Sequence, residues 1–189
     1  FVSIPHIGYN KKKSAAAQVR GTAMKQNRKN DVALQKVRIA SPVGDLIISA
    51  DGKAVCSITN ASPEDAAAPE RTENELLANA AQQMREYFAG KRKAFTFPMA
   101  PRGTAFQKAV WDELLKIPYG TTATYGQIAA AIGNPNAARA VGTACNRNPI
   151  WIAVPCHRVV GADGAMVGYA LGTGMKRALL DFEANEKPL

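Results

Sequence analysis

The segment Pro155-Cys156-His157-Arg158-Val159 sets a thiol beside an imidazole in an otherwise apolar neighbourhood. A cysteine is a strong nucleophile only as its thiolate, and a nearby imidazole can accept the proton that must leave. Proline at position 155 removes a backbone donor and fixes the direction from which the chain enters the pair. The chemistry this predicts is attack by the Cys156 sulfur on an electrophilic centre, which needs a sulfur that is ionised and within reach of a substrate. The same two residues also describe a small buried hydrophobe next to a structural histidine. Cys56 and Cys145 have no adjacent proton acceptor, and the second histidine, His6, lies far upstream.

The elements around this pair must hold it in place. The apolar run Ile150-Trp151-Ile152-Ala153-Val154 reads as a buried strand delivering Cys156 to the edge of a core. Upstream, Thr104-x-x-Gln107 and Thr124-x-x-Gln127 are capping boxes. The first opens a helix whose inner face carries Phe106, Val110, Trp111, Leu114 and Leu115, and Pro118-Tyr119-Gly120 ends it. The second opens a helix over 125–132 closed by Gly133. Asn134-Pro135 then supplies an N-cap and an N1 proline for a helix through about Cys145. So tight a pair fits either a plain helical hairpin or a helix-turn-helix. Its second helix has a surface of small residues, from Ala137 to Ala144, from which Arg139 projects, while Val141 and Cys145 face inward. Such a surface suits close helix packing or close approach to a nucleic-acid groove.

The rest of the chain reads as a smaller α/β half. Val37, Ile39, Leu46 and Ile48 alternate around the turn Ser41-Pro42-Val43-Gly44, and Asp51-Gly52 turns the chain again before Val55 to Ile58. Residues 62–71 read as a loop, residues 74–88 as a helix stopped by Gly90, and Phe95 to Phe97 as a short extended piece. The predicted fold class is therefore α/β: a small domain with antiparallel strands over 37–100, and a mostly helical domain containing the helix-turn-helix over 101–189. Residues 1–36 read as a basic flexible tail with eight Lys/Arg against Asp31; this segment holds +7 of the formal charge of +9. That tail is either simply solvated or attracted to phosphates, and a targeting role stays open. Three scattered cysteines make no disulfide framework, no apolar run is long enough to span a bilayer, and two histidines without a CxxC pair argue against zinc. A reducing compartment is expected, the cytoplasm or, in a eukaryote, the nucleus.

Taken together, Phe106-Gln107-x-x-Val110-Trp111, Ile117-Pro118-Tyr119-Gly120, Thr124-Tyr125-Gly126-Gln127-Ile128-Ala129, Ala138-Arg139-Ala140-Val141-Gly142, Asn148-Pro149, Pro155-Cys156-His157-Arg158-Val159, Gly168-Tyr169 and Leu179-Leu180 with Glu183 carry a resemblance. The chain resembles the O6-alkylguanine-DNA alkyltransferases, the methylated-DNA–protein-cysteine methyltransferases, strongly over 101–184 and weakly over 37–100. The resemblance implies DNA repair by direct reversal: a guanine carrying an O6-alkyl group, or a thymine carrying an O4-alkyl group, is flipped out of the duplex and its alkyl group passes irreversibly to Cys156 in a single turnover. It implies that His157 draws the thiol proton through a water and that Glu183 orients the imidazole. A carboxylate near a helix end would otherwise read as solvated. Asn148 is implied as the hinge residue, Tyr125 as the one displacing the neighbouring phosphate, Arg139 as the one filling the vacated stack, and Tyr169 as the one closing the pocket on the base. The implied partner is double-stranded DNA bound through the minor groove by a monomer, with no cofactor, no metal and no membrane.

Three positions depart from the family pattern. Trp151 stands where a small residue or proline is usual, and Ala170-Leu171 where a small residue and glycine are usual. They point to a narrow pocket favouring methyl over benzyl groups, although strand alternation would turn Trp151 away from Cys156 into the core. Two other functions fit parts of the sequence. A DNA-binding module would leave Cys156 unreactive, and a cysteine hydrolase would need a second placed histidine and an oxyanion site that the sequence does not offer.

Overall fold

The computed structural model describes residues 34–185 and 189, so the basic tail over 1–36 and His6 lie almost wholly outside the described residues. Three strands, β1 (Gln35–Ile39), β2 (Leu46–Ala50) and β3 (Val55–Asn60), form an antiparallel sheet in that order. The register pairs Val37 with Ile48 and Ile39 with Leu46, so the alternation read from sequence puts one apolar face inward. Helix α1 (Glu75–Phe88) covers that face with Leu77, Ala80, Ala81, Met84 and Tyr87, and the Asn74 side chain caps it by accepting from the Leu77 amide. The extended piece around Phe95 to Phe97 is not a strand. Only Met99 forms a bridge, parallel to Val55.

Both capping boxes form. Thr104 starts α2 (Ala105–Leu114), and Thr124 starts α3 (Tyr125–Ala131), each exchanging bonds with the glutamine three residues on. Trp111 is buried on α2, and its Nε1 donates to the Ala144 carbonyl at 3.0 Å, docking the next helix. The chain before α2 must pass so close to this ring that a Cβ on Gly103 would sit 2.5 Å from it.

Helix α4 (Ala138–Asn146) begins later than the Asn134-Pro135 signal predicts. Those two residues instead make a tight turn, closed by the Ala137 amide donating to Asn134 O at 2.9 Å, with proline at the second turn position. Proline suits that site as well as a helix start, because both want φ near −65°. The small face of α4 is divided: Ala144 is buried under Trp111, whereas Arg139, Ala140 and Thr143 are exposed. Val141 and Cys145 face the core as expected.

The run 150–154 is not a strand. Ile150 bridges Ile58, and the chain then turns twice within two residues of each turn's start, with the Ala153 amide donating to Trp151 O at 2.7 Å and the Cys156 amide to Val154 O at 2.9 Å. The first turn holds Ile152 at φ 70°, a conformation rare for a β-branched residue. A short apolar run cannot be told from a buried turn by composition alone. A 3-10 turn over Cys156–Arg158 follows, then β5 (Val159–Val160), which pairs parallel with β4 (Ala123–Thr124), and finally α5 (Gly172–Asn185). The described residues form one compact unit, and a single apolar cluster runs from the sheet through α1, α2 and α4 to Phe182 of α5.

Candidate active site

Asn148 organises the turn that presents the thiol. Its Oδ1 accepts from the Ile150 amide at 3.0 Å, and its Nδ2 donates both to Val154 O at 2.8 Å and to the Cys156 sulfur at 3.3 Å. One buried side chain thus fixes both ends of the strained turn and supplies a donor to the sulfur. That sulfur is not the exposed, ionised atom expected from sequence. Cys156 is 4% exposed, and burial pushes its thiol up against the opposing pull of the Asn148 donor and the Lys176 charge. At rest the residue is a protonated thiol.

His157 is fully buried, and its Nε2 lies 2.8 Å from Glu183 Oε1. Burial holds the imidazole below its ordinary value against the pull of Glu183, so the ring is neutral and able to take a proton. Nδ1, on the other side of the ring, is buried without a protein partner. Among the described residues only three buried side-chain polar atoms lack one, and two lie here: His157 Nδ1 and the Tyr169 hydroxyl. The two rings meet edge-on at 6.4 Å. Unpaired buried polar atoms are costly and mark places where a further group is to be met.

Glu183 is the knot of the site. Its Oε1 accepts from Tyr87 Oη at 2.8 Å and Arg158 Nη2 at 2.9 Å as well as facing His157; its Oε2 accepts from Arg158 Nε at 2.8 Å and the Gly120 amide at 3.1 Å. Burial alone would raise its pKa, but the bonds from His157 and Arg158 outweigh this and hold it well below the usual carboxylate range. Gly120, at φ 72°, allows this approach, since a Cβ there would meet Glu183 O at 3.0 Å.

A cleft of about 560 Å³ opens between α3, α4 and the loop 161–168, and Tyr125, Arg139 and Gly142 are in its wall. Tyr125 Oη donates to Val167 O at 2.9 Å, and Lys176 Nζ reaches the same carbonyl at 2.9 Å while sitting 5.6 Å from the Tyr125 ring centre. The Tyr125 hydroxyl is pushed up to about 12, by burial first and then by Cys145 and Cys156. Tyr169, Trp151, Ala170 and Leu171 are not in the cleft wall; Ala170 is exposed and the other three are half-buried against the core. With no strand at 150–154, alternation no longer decides which way Trp151 points.

Of the predicted catalytic residues, the structure brings Cys156, Asn148, His157 and Glu183 into one buried cluster. Sequence reading missed Tyr87, Arg158 and Lys176. Each had a signal. Arg158 lies among buried β-branched residues and so required a counter-charge, Tyr87 lies on the apolar stripe of α1, and Lys176 shares a face with Leu179, Leu180 and Glu183 at helical spacing. Among the described residues no group of three or more His, Cys, Asp or Glu could hold a metal, and no helix is long and apolar enough to cross a membrane.

The class defined by this arrangement is a cysteine group-transfer protein whose buried thiol, base and carboxylate share a fold with a helix-turn-helix. Comparison with known proteins agrees. Residues 105–185 match the 6-O-methylguanine DNA methyltransferase DNA binding domain, and residues 25–101 match the ribonuclease-like domain of the same proteins. The chain is 47% identical over 148 residues to a methylated-DNA–protein-cysteine methyltransferase of Methanosarcina acetivorans, covering 77% of this chain and 95% of that one. A Mycobacterium tuberculosis protein of the same name is 44% identical over 154 residues, covering 79% and 92%. The crystal structure of Mycobacterium tuberculosis OGT in complex with DNA superposes with a TM-score of 0.73 at 41% identity, covering 82% of this chain and 95% of that one. The chain belongs to the methylated-DNA–protein-cysteine methyltransferase family.

Proposed function

We propose that this protein repairs DNA by moving the alkyl group of O6-alkylguanine, chiefly methyl, to its own Cys156, once per molecule. DNA binding and alkyl transfer are what its relatives are named or crystallised for. The observation that carries the reading is the buried cluster Asn148–Cys156–His157–Glu183 in a chain whose relatives transfer methyl groups to cysteine. In the reaction His157 Nδ1 takes the thiol proton through a water, the sulfur attacks the alkyl carbon, and the bond from that carbon to guanine O6 breaks. Guanine leaves with its oxygen as a carbonyl and takes up a proton at N1 from water, while the thiol proton stays on His157 and is later released to solvent. Glu183 stabilises the imidazolium formed at His157. A thioether has no easy leaving path, which makes the event irreversible.

The remaining assignments belong to the same proposal. Arg139, exposed on α4, would fill the stack left by the extruded base, and Tyr125, at the cleft, would turn the adjoining phosphate. The small exposed face of α4 suits the minor groove, and the protein would act there as a monomer. Tyr169 would close on the base through its unpaired hydroxyl. O4-alkylthymine is a second substrate of the same chemistry, and the preference for methyl stands on residue size at Trp151 and Leu171. Benzylguanine reacting as fast as methylated DNA would remove that preference. The decisive experiment incubates the protein with an O6-methylguanine oligonucleotide and locates the added mass by peptide mass spectrometry. One methyl group on Cys156, absent from Cys156→Ser, is the expected result; an unlabelled Cys156 would leave a DNA-binding module instead.

A further inference from the structure

We propose that Tyr87 is a positioning residue of the transfer reaction, its hydroxyl reaching from α1 to set the place and charge of the Glu183 carboxylate that serves His157. The inference rests on the repair reading above and adds a chemical role for the N-terminal half of the chain.

Glu183 Oε1 is shared by three donors: Tyr87 Oη at 2.8 Å, His157 Nε2 at 2.8 Å and Arg158 Nη2 at 2.9 Å. A carboxylate oxygen offers about two lone-pair directions, so these donors compete for one negative charge. The Tyr87 bond therefore draws charge away from His157 while pinning the oxygen that the imidazole must find. The ring itself does not need the hydroxyl. Phe88, Phe95, Tyr119 and Phe182 surround it at centroid distances of 5.4, 5.5, 6.2 and 5.4 Å, a cage that phenylalanine would fill equally well. Burial and the neighbouring Glu183 push the phenol far above its ordinary range, so it is a permanent donor at any working pH. The other charged and titratable groups around His157 are Arg158 beside it, Cys156 before it, Tyr169 at its ring edge and Lys176 on α5. Tyr119 in turn faces Arg158. Of these, only Tyr87 both belongs to the N-terminal half and bonds the carboxylate.

Removal of the hydroxyl leaves more of the Oε1 charge for His157, which then holds its proton more tightly, and frees the carboxylate to wander. The test is Tyr87→Phe in the full chain, read by the single-turnover rate of methyl transfer from an O6-methylguanine oligonucleotide across the pH range in which histidine titrates. The rate of Cys156 alkylation by iodoacetamide is measured over the same range without DNA. Transfer should slow about tenfold at neutral pH, as for a lost hydrogen bond to a charged group, and both profiles should move to higher pH. Phe88→Leu, which loosens the same cage without touching the hydroxyl, should leave the profiles in place. Profiles for Tyr87→Phe that superpose on wild type overturn the proposal, as does a displacement reproduced by Phe88→Leu or a Tyr87→Phe protein that does not fold. Wild-type protein that transfers no methyl sinks the repair reading instead, and the iodoacetamide profiles still decide the role of Tyr87.

Discussion

Replacing Glu183 by glutamine removes one negative charge and changes almost no volume, so its cost reports the buried network alone. The carboxylate is fully enclosed and accepts from Arg158, Tyr87, Gly120 and, through its histidine contact, His157. Arg158, only 6% exposed, would lose its countercharge, and leaving one member of a buried pair uncompensated typically costs about 3–5 kcal/mol. For a domain of this size that corresponds to a fall in Tm of about 10 °C. The pH dependence has a definite sign. Glu183 has a folded pKa below its unfolded value, so its contribution is complete above the carboxylate range near 4.5 and is lost as pH falls through the folded value. His157, buried neutral, also binds its proton less readily folded than unfolded, so wild-type stability begins to decline as pH drops below about 6.5. The share of the gap between wild type and Glu183→Gln that comes from the ionised carboxylate, measured by urea denaturation, should therefore be complete at neutral pH and be lost progressively in acid below about 4.5. Methyl transfer should slow by about 10²-fold or more, because the base loses the charge that stabilises its protonated form. A variant within about 1 kcal/mol of wild type at neutral pH would refute the claim that this carboxylate holds the site together.

Asn148→Ala should cost about 2–3 kcal/mol, since it leaves the Ile150 amide and Val154 carbonyl unpaired around a strained turn, and should slow alkylation of Cys156 by removing the sulfur's donor; equal iodoacetamide rates would contradict this. Full methylation of Cys156 should lower Tm, with a loss of about 1–3 kcal/mol, because the sulfur is buried and the added methyl must displace its neighbours; an unchanged melting curve would count against it. Arg139→Ala should leave the fold and the iodoacetamide rate intact while slowing transfer from duplex DNA far more than from the free base, and a uniform effect on both substrates would remove its part in extrusion. Thr124→Ala should destabilise α3 by about 1 kcal/mol through loss of its capping box, as read by thermal melts.

The features legible in the sequence were those set by local rules. Both capping boxes, the meander from Val37 to Ile58 and the helix beginning at Asn74 formed as read, because alternation, caps and turn residues act over a few positions. The errors came where two local rules compete. Asn134-Pro135 suits a helix start and a turn alike, and the turn won. Ile150 to Val154 has the composition of a strand, but Asn148 bonds across it and folds it into turns. The pairing of β4 with β5 joins segments of two residues each, too short for any periodicity to mark.

By itself the sequence determined a thiol next to an imidazole and an arginine on a small-surfaced helix, while Glu183 stood out only through the family resemblance. Only the tertiary structure decided their states. Chain folding placed Tyr87, Gly120, His157 and Arg158, from three separate regions, on one carboxylate, and it sealed the Cys156 sulfur so that it rests as a thiol. The physical reason is that burial and opposing charges set whether a group is ionised, and both are fixed by which distant segments pack around it.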